Sequence, residues 1–243
     1  MRLPILQGII RRRILVNFRV DPDVMRRLMP APFEPKLHGD YAIAGICLIR
    51  LKHIRPRQLP PWLGISSENA ACRVAVEWDE DGEGREGVFV RRRDTNSRLN
   101  SLAGGRVFPG IHHHARFHVR ELNDRFEIEM HSDDGKTALS LVAAAADKLP
   151  SASIFNSLDA ASDFFQGGSL GYSTTSDLHR FQGLELRCRQ WRIEPLEVEE
   201  VRSSYFEDKA AFPKGSIQFD SAFLMRGIEH EWHGKADLCC RAE

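Results

Sequence analysis

Cys72-Arg73-Val74-Ala75-Val76-Glu77-Trp78 leads into Asp79-Glu80-Asp81-Gly82-Glu83-Gly84 and returns as Glu86-Gly87-Val88-Phe89-Val90-Arg91-Arg92-Arg93. Two apolar runs rich in β-branched residues, set either side of an acidic turn with glycine, predict a β-hairpin. A second hairpin follows further on: Arg125-Phe126-Glu127-Ile128-Glu129-Met130-His131 alternates polar and apolar, Asp133-Asp134-Gly135 turns, and 137–142 returns. Residues 13–20 read as another strand. Residues 41–51, Tyr41-Ala42-Ile43-Ala44-Gly45-Ile46-Cys47-Leu48-Ile49-Arg50-Leu51, are apolar almost throughout, as a strand buried on both faces must be. Further strands are expected over 184–191, 196–203 and 216–225.

Helix signals are few. Asp21-Pro22 places an N-cap acid before a first-turn proline, and Pro30 stops the segment. Residues 157–165 carry a Ser157 or Asn156 cap and end at Gly167-Gly168. Pro56, Pro60 and Pro61 make 55–64 a rigid loop. Nine to twelve strands against two or three short helices predict a mainly β (β-rich α+β) fold. We expect one domain over 1–243, built as a closed or nearly closed antiparallel β-barrel. No internal repeat or low-complexity tract divides the chain.

Lysine plus arginine equal aspartate plus glutamate at 34 each, so no global field draws the chain to nucleic acid or to an anionic membrane. The five cysteines are odd in number and form no C-x-x-C pair. Pro4 and Arg11-Arg12-Arg13 leave no apolar core for a signal peptide or a membrane span. A reduced, cytoplasmic protein without nucleic-acid or membrane partners is the expectation.

Reactive groups concentrate in residues 104–118, where Gly110-Ile111-His112-His113-His114-Ala115-Arg116-Phe117-His118 follows a Gly/Pro turn. Imidazoles titrate near neutrality, so such a cluster points to proton transfer, anion recognition or metal ligation. In an extended strand His113, Ala115, Phe117 and Val119 share one face, and His112, His114, Arg116 and His118 the other. The first face is apolar and is expected to point inward, which makes His113 the candidate general acid/base. Metal is an alternative. His112 and His114 lie two apart, and His230 and His233 stand among Glu229 and Glu231, but three convergent ligands at zinc-site spacing are missing.

Three other segments bear on chemistry. Val90-Arg91-Arg92-Arg93-Asp94-Thr95-Asn96-Ser97-Arg98 lacks the aromatics of a nucleic-acid surface and reads as a polar strand end. One of its arginines is available to an internal anion pocket, since guanidinium binds carboxylate bidentately. Glu68, at a strand entry, is placed to orient a histidine and tune its pKa. No nucleophile elbow, P-loop or dinucleotide fingerprint is present, so no cofactor is expected.

The chain resembles the acetoacetate decarboxylase-like superfamily, in a branch of uncharacterised conserved domains. The resemblance rests on Asn17-Phe18-Arg19-Val20-Asp21-Pro22-Asp23-Val24 with Leu28-Met29-Pro30, on Gly45-Ile46-Cys47-Leu48-Ile49-Arg50-Leu51, and on 55–61. It continues through Glu68-Asn69 with Arg73, and 110–117, whose His-x-Ala-Arg pattern ends that branch's strand. It is clearest over 12–145. It implies a β-barrel or cone around a mostly apolar pocket, and a homo-oligomer. The decarboxylase uses a Schiff-base lysine, whereas the corresponding region here holds histidines, with Lys52 and Lys136 the nearest amines. What the resemblance implies is therefore a pocket without Schiff-base decarboxylation. In that pocket His113 stands where the amine would be, Glu68 lines the wall, and Arg73 and Arg116 anchor an anion, with His112 a further substrate-binding candidate. The expected ligand is a small carboxylate or carbonyl compound, turned over by His/Glu acid-base chemistry. A non-catalytic binding module and a histidine-based metal hydrolase are the alternatives.

Overall fold

The computed structural model describes residues 4–102, 109–177 and 179–239. The chain opens with β1 (Leu6–Val20), α1 (Pro22–Leu28), two short pairings β2 (Glu34–Pro35) and β3 (Leu37–His38), and β4 (Tyr41–Pro56). A single 3₁₀ turn, Pro61–Leu63, precedes β5 (Ile65–Glu80), β6 (Glu83–Thr95) and α2 (Arg98–Leu102). Then come β7 (His112–Leu122), β8 (Arg125–Ser132), β9 (Ala138–Ala145) and α3 (Leu158–Gln166). The chain closes with β10 (Leu170–Thr174), β11 (Arg180–Cys188), β12 (Glu194–Ser203), β13 (Ile217–Gly234) and β14 (Leu238–Cys239).

Local chemistry explains the elements the sequence announced. Asp21 caps α1 by accepting from the Asp23 and Val24 amides at 2.9 and 3.0 Å, and Ser157 caps α3 by accepting from the Ala160 amide at 3.0 Å. The acidic turn of the first hairpin tightens to Asp81-Gly82, both at positive φ (57° and 83°), the backbone of a two-residue hairpin turn. Asn123-Asp124 (49° and 61°) does the same between β7 and β8.

The strands form one sheet whose pairings β5–β6 and β11–β13 close it on itself. Following β6-β7-β8-β9-β12-β13-β1-β4-β5 returns to β6, a ring of nine strands. A second circuit runs β6-β10-β11-β13-β1-β4-β5. The strands common to both circuits have apolar packing on each face. On β4, Ala42, Ala44, Ile46 and Leu48 join one core, while Ile43, Cys47 and Leu51 join the other. On β1, Ile14, Val16 and Phe18 face the first core and Leu15 the second. This double burial is why residues 41–51 carry no polar alternation.

The fold is mainly β, as expected, and differs in two respects from the antiparallel barrel read from the sequence. The ring is not a regular barrel, because five strands serve two circuits. Two pairings are parallel: β6 with β7 (Arg93 opposite His112) and β6 with β10 (Phe89 opposite Tyr172). A parallel partner needs a crossover of a dozen or more residues, and segment 96–111, which begins as α2, supplies it for β7. None of the helices among the described residues is long and apolar enough to cross a membrane.

Candidate functional site

Register brings the site together. Leu15 of β1 lies opposite Cys47 of β4, Cys47 opposite Ala71 of β5, Ala71 opposite Arg93 of β6, and Arg93 opposite His112 of β7. Arg13 and Arg73 flank this row diagonally, each two residues from a position facing Cys47. Cross-strand diagonals lie within reach of long side chains. Cys47, Ala71, Arg93, His112, Arg13 and Arg73 all line one cavity of about 120 Å³ on the side of the second core. Roughly 10–15 Å³ of such space holds one water, so this cavity has room for a small organic molecule.

Its charges are one-sided. Arg13 is 9 % exposed, and among the described residues its nitrogens reach only sulfur, Cys47 Sγ at 3.2 Å and Met225 Sδ at 4.0 Å, with Trp191 5.8 Å from the guanidinium. Arg73, 4 % exposed, donates from Nη2 to Asn17 Oδ1 at 2.5 Å, lies 5.1 Å from the Phe165 ring, and has no acceptor for Nε among the described residues. Arg93 donates from Nε and Nη2 to Ser173 Oγ at 3.1 and 2.9 Å. No carboxylate among the described residues pairs with any of the three. Asp94 lines the cavity too, but both its oxygens accept from Arg92 at 2.9 Å. Burial pushes the Arg73 and Arg93 guanidiniums down to about 10, which leaves both charged at neutral pH. Burial, with the Arg93 charge, pushes His112 down to about 3, so its imidazole is neutral. None of the seven lysines of the sequence lines the cavity.

The predicted site residues part company. Arg73 and His112 line the cavity; His113, Glu68 and Arg116 do not. The alternation along β7 holds: Ala115 is buried in the first core, with Phe117 and Val119 packed against it. The cavity lies beside the second core, and His112 of the opposite face lines it. His113 is 35 % exposed and points its Nδ1 at Asp134, 3.3 Å away. Arg116 is 81 % exposed, 3.3 Å from Asp133. Glu68 is buried and does not orient a histidine; it accepts from Arg12 at 2.7 Å and from Arg50. Arg12 and Arg50 also hold Glu121.

The metal alternative finds no support in this geometry. His114 Nδ1 is 2.7 Å from Asp133, whose carboxyl is held below its ordinary range by that contact, while His112 lines the cavity. His233 Nε2 is 2.8 Å from Glu231, and His230 is 3 % exposed in the second core, its ring nitrogens without a hydrogen-bond partner among the described residues. Among the described residues no three His, Cys, Asp or Glu side chains are grouped to hold an ion. The glycines 104 and 105 that open the histidine run lie outside the described residues.

Sequence reasoning missed Arg13 and Cys47. Arg13 had a signal: it heads an apolar strand and falls on the same face as Leu15. Arg93 came from the basic run, where one arginine had been set aside for an internal anion.

The two depressed histidines make stability depend on pH. Burial, with Arg13 nearby, pushes His230 down to about 4. An unfolded histidine accepts its proton near 6.5, which the fold refuses until pH is much lower. Stability is therefore complete above about 6.5 and falls as pH drops toward 4. Urea unfolding should show a loss of about 2 kcal/mol from His230 alone between pH 7 and 5, with His112 adding to it. The slope should be shallower in His230→Leu.

The comparisons fit this architecture. The model of a family described as uncharacterized conserved protein, DUF2071, matches residues 10–225. No curated protein matches the chain in sequence. Among solved structures, acetoacetate decarboxylase from Legionella pneumophila superposes with a TM-score of 0.62 at 14 % identity, covering 97 % of this chain and 88 % of that one. An acetoacetate decarboxylase-like enzyme from Sphingomonas wittichii gives 0.60 at 12 %, covering 100 % and 95 %. The enduracididine biosynthesis enzyme MppR, complexed with pyruvate, gives 0.53 at 12 %, covering 98 % and 91 %. These identities speak for the fold alone. On the family match the chain belongs to the DUF2071 family, and its fold is the one seen in acetoacetate decarboxylase and decarboxylase-like enzymes.

Proposed function

We propose that this protein binds a small carboxylate, of the 2-oxo acid kind, in the cavity of Arg13, Arg73 and Arg93, and acts on the carbonyl next to it. The observation that carries the reading is the convergence of three buried or half-buried guanidiniums without a carboxylate partner among the described residues. Isolated buried charge is costly, and a bound anion is what offsets it. The pyruvate complex of MppR, a protein of the same fold, agrees with a ligand of this size and charge.

His112 is the group we assign to the carbonyl, in place of the acid-base pair His113 and Glu68. Held neutral, it offers a ring N–H to a carbonyl oxygen without adding a positive charge. A bound carboxylate also opposes the Arg93 field that lowers it, so ligand binding raises its proton affinity. The lack of a cavity lysine supports chemistry without a Schiff base. A non-catalytic binding module is the second reading, and the pinning of Asp94 by Arg92 favours it, since the carboxylate that lines the cavity is then not free to serve as a base. Four free thiols, Cys47, Cys72, Cys188 and Cys239, suit a reducing compartment such as the cytoplasm.

Titration calorimetry tests the reading. Pyruvate or oxalate should bind at one site with a Kd below about 1 mM, and neutral acetone or acetamide should not bind. No heat from either carboxylate at several times that concentration rejects it. Mass spectrometry of the bound 2-oxo acid over hours then separates turnover from simple binding.

A further inference from the structure

Among the described residues, Cys47 is the thiol that the register sets into the cavity wall. On β4 it lies between Leu15 of β1 and Ala71 of β5, with Arg13 and Arg73 on the two diagonals of the same face. Its Sγ accepts from Arg13 Nε at 3.2 Å. A second observation points to a ligand at the same place: Arg13 is 9 % exposed, lines the cavity, and its guanidinium meets no oxygen acceptor among the described residues. A carboxylate on that guanidinium lies next to the thiol that Arg13 already reaches. The other thiols differ. Cys72 is buried on the first-core side, Cys188 is half-buried and lines a different pocket, and Cys239 is exposed.

We propose that Cys47 is a nucleophilic site of this cavity, directed at an electrophilic carbon next to a bound carboxylate. The inference rests on the carboxylate reading above. With a 2-oxo acid the Sγ–C bond forms as the carbonyl π pair moves onto oxygen, and that oxygen takes the proton the thiol gives up. The product is a hemithioketal, and the step is neither redox nor dependent on a leaving group. With a 2-halo acid the Sγ–C bond forms as halide departs with the bonding pair. Sulfur thus stands in this cavity as a reversible covalent handle, in a protein whose lysines lie elsewhere.

A matched pair of alkylating reagents tests it. The full-length protein is treated with iodoacetate or with iodoacetamide, which differ in one negative charge, and modification of each cysteine is followed by peptide mass spectrometry. Expected is a rate ratio, iodoacetate over iodoacetamide, at least about tenfold higher at Cys47 than at exposed Cys239, and its suppression by oxalate. A Cys47 that stays unmodified, or whose ratio equals that of Cys239, overturns the inference. Oxalate binding by calorimetry on the same preparation keeps the two readings apart. If oxalate binds and Cys47 shows no preference, the nucleophile is wrong and the pocket stands; if oxalate does not bind, the pocket reading fails first.

Discussion

Arg13→Met is expected to raise thermal stability and to weaken carboxylate binding in the same protein. The guanidinium is buried, and its partners among the described residues are two sulfur atoms and the face of Trp191. Those contacts are weak, while taking an unpaired charge out of water is costly, and replacing buried charges by apolar groups of similar volume often stabilises by about 1–4 kcal/mol. Methionine follows much the same path, among Leu15, Met225 and Trp191 of the second core. For a chain of this length about 2 kcal/mol corresponds to a Tm higher by roughly 4–8 °C. Loss of one charge-assisted hydrogen bond to the ligand, about 1.5–3 kcal/mol, should weaken oxalate roughly 10- to 150-fold. Opposite signs in the two measurements are the signature of a residue kept for a ligand. If Arg13→Met lowers Tm, Arg13 is a structural residue and its place in the anion site is wrong.

Glu68→Ala is expected to do the reverse. Glu68 is 9 % exposed and takes hydrogen bonds from both Arg12 and Arg50. Arg12 has a side chain only 3 % exposed and already carries a buried Nε without an acceptor. Removing Glu68 leaves it with Glu121 alone. Breaking a buried pair from one side costs about 3–5 kcal/mol, so Tm should fall by roughly 6–20 °C. Oxalate affinity of the folded fraction should stay within about twofold, because Glu68 does not line the cavity. A variant with normal Tm and lost ligand binding would return Glu68 to the catalytic role the sequence suggested.

The fold was readable because its signals are local. Asp21-Pro22, Ser157, Asp81-Gly82 and the apolar run 41–51 each determine a backbone conformation or a burial state within a few residues, and each stands where the sequence placed it. The site depends on long-range register, which no local pattern encodes. Strand parity separated His113 from His112 correctly, yet parity does not say which of two cores borders the cavity. Only the parallel pairing of β6 with β7, which sets Arg93 beside His112, resolves that. Glu68 depends on the same register: an acid at a strand entry can orient a histidine or balance an arginine, and Arg12 of β1 and Arg50 of β4 lie against it. Arg13 and Cys47 drew no notice because one sat in a basic run near the N-terminus and the other in an apolar strand. Arg73 came from the superfamily resemblance, and the cavity it lines gives that residue a physical context.

A crystal structure of the protein grown with oxalate tests the central claim most directly. The account predicts the anion in the cavity beside Cys47, with oxygens within hydrogen-bond distance of at least two of Arg13, Arg73 and Arg93 and with His112 at its edge. An oxalate bound instead at His113 and Arg116, or an empty cavity at saturating oxalate, would contradict it.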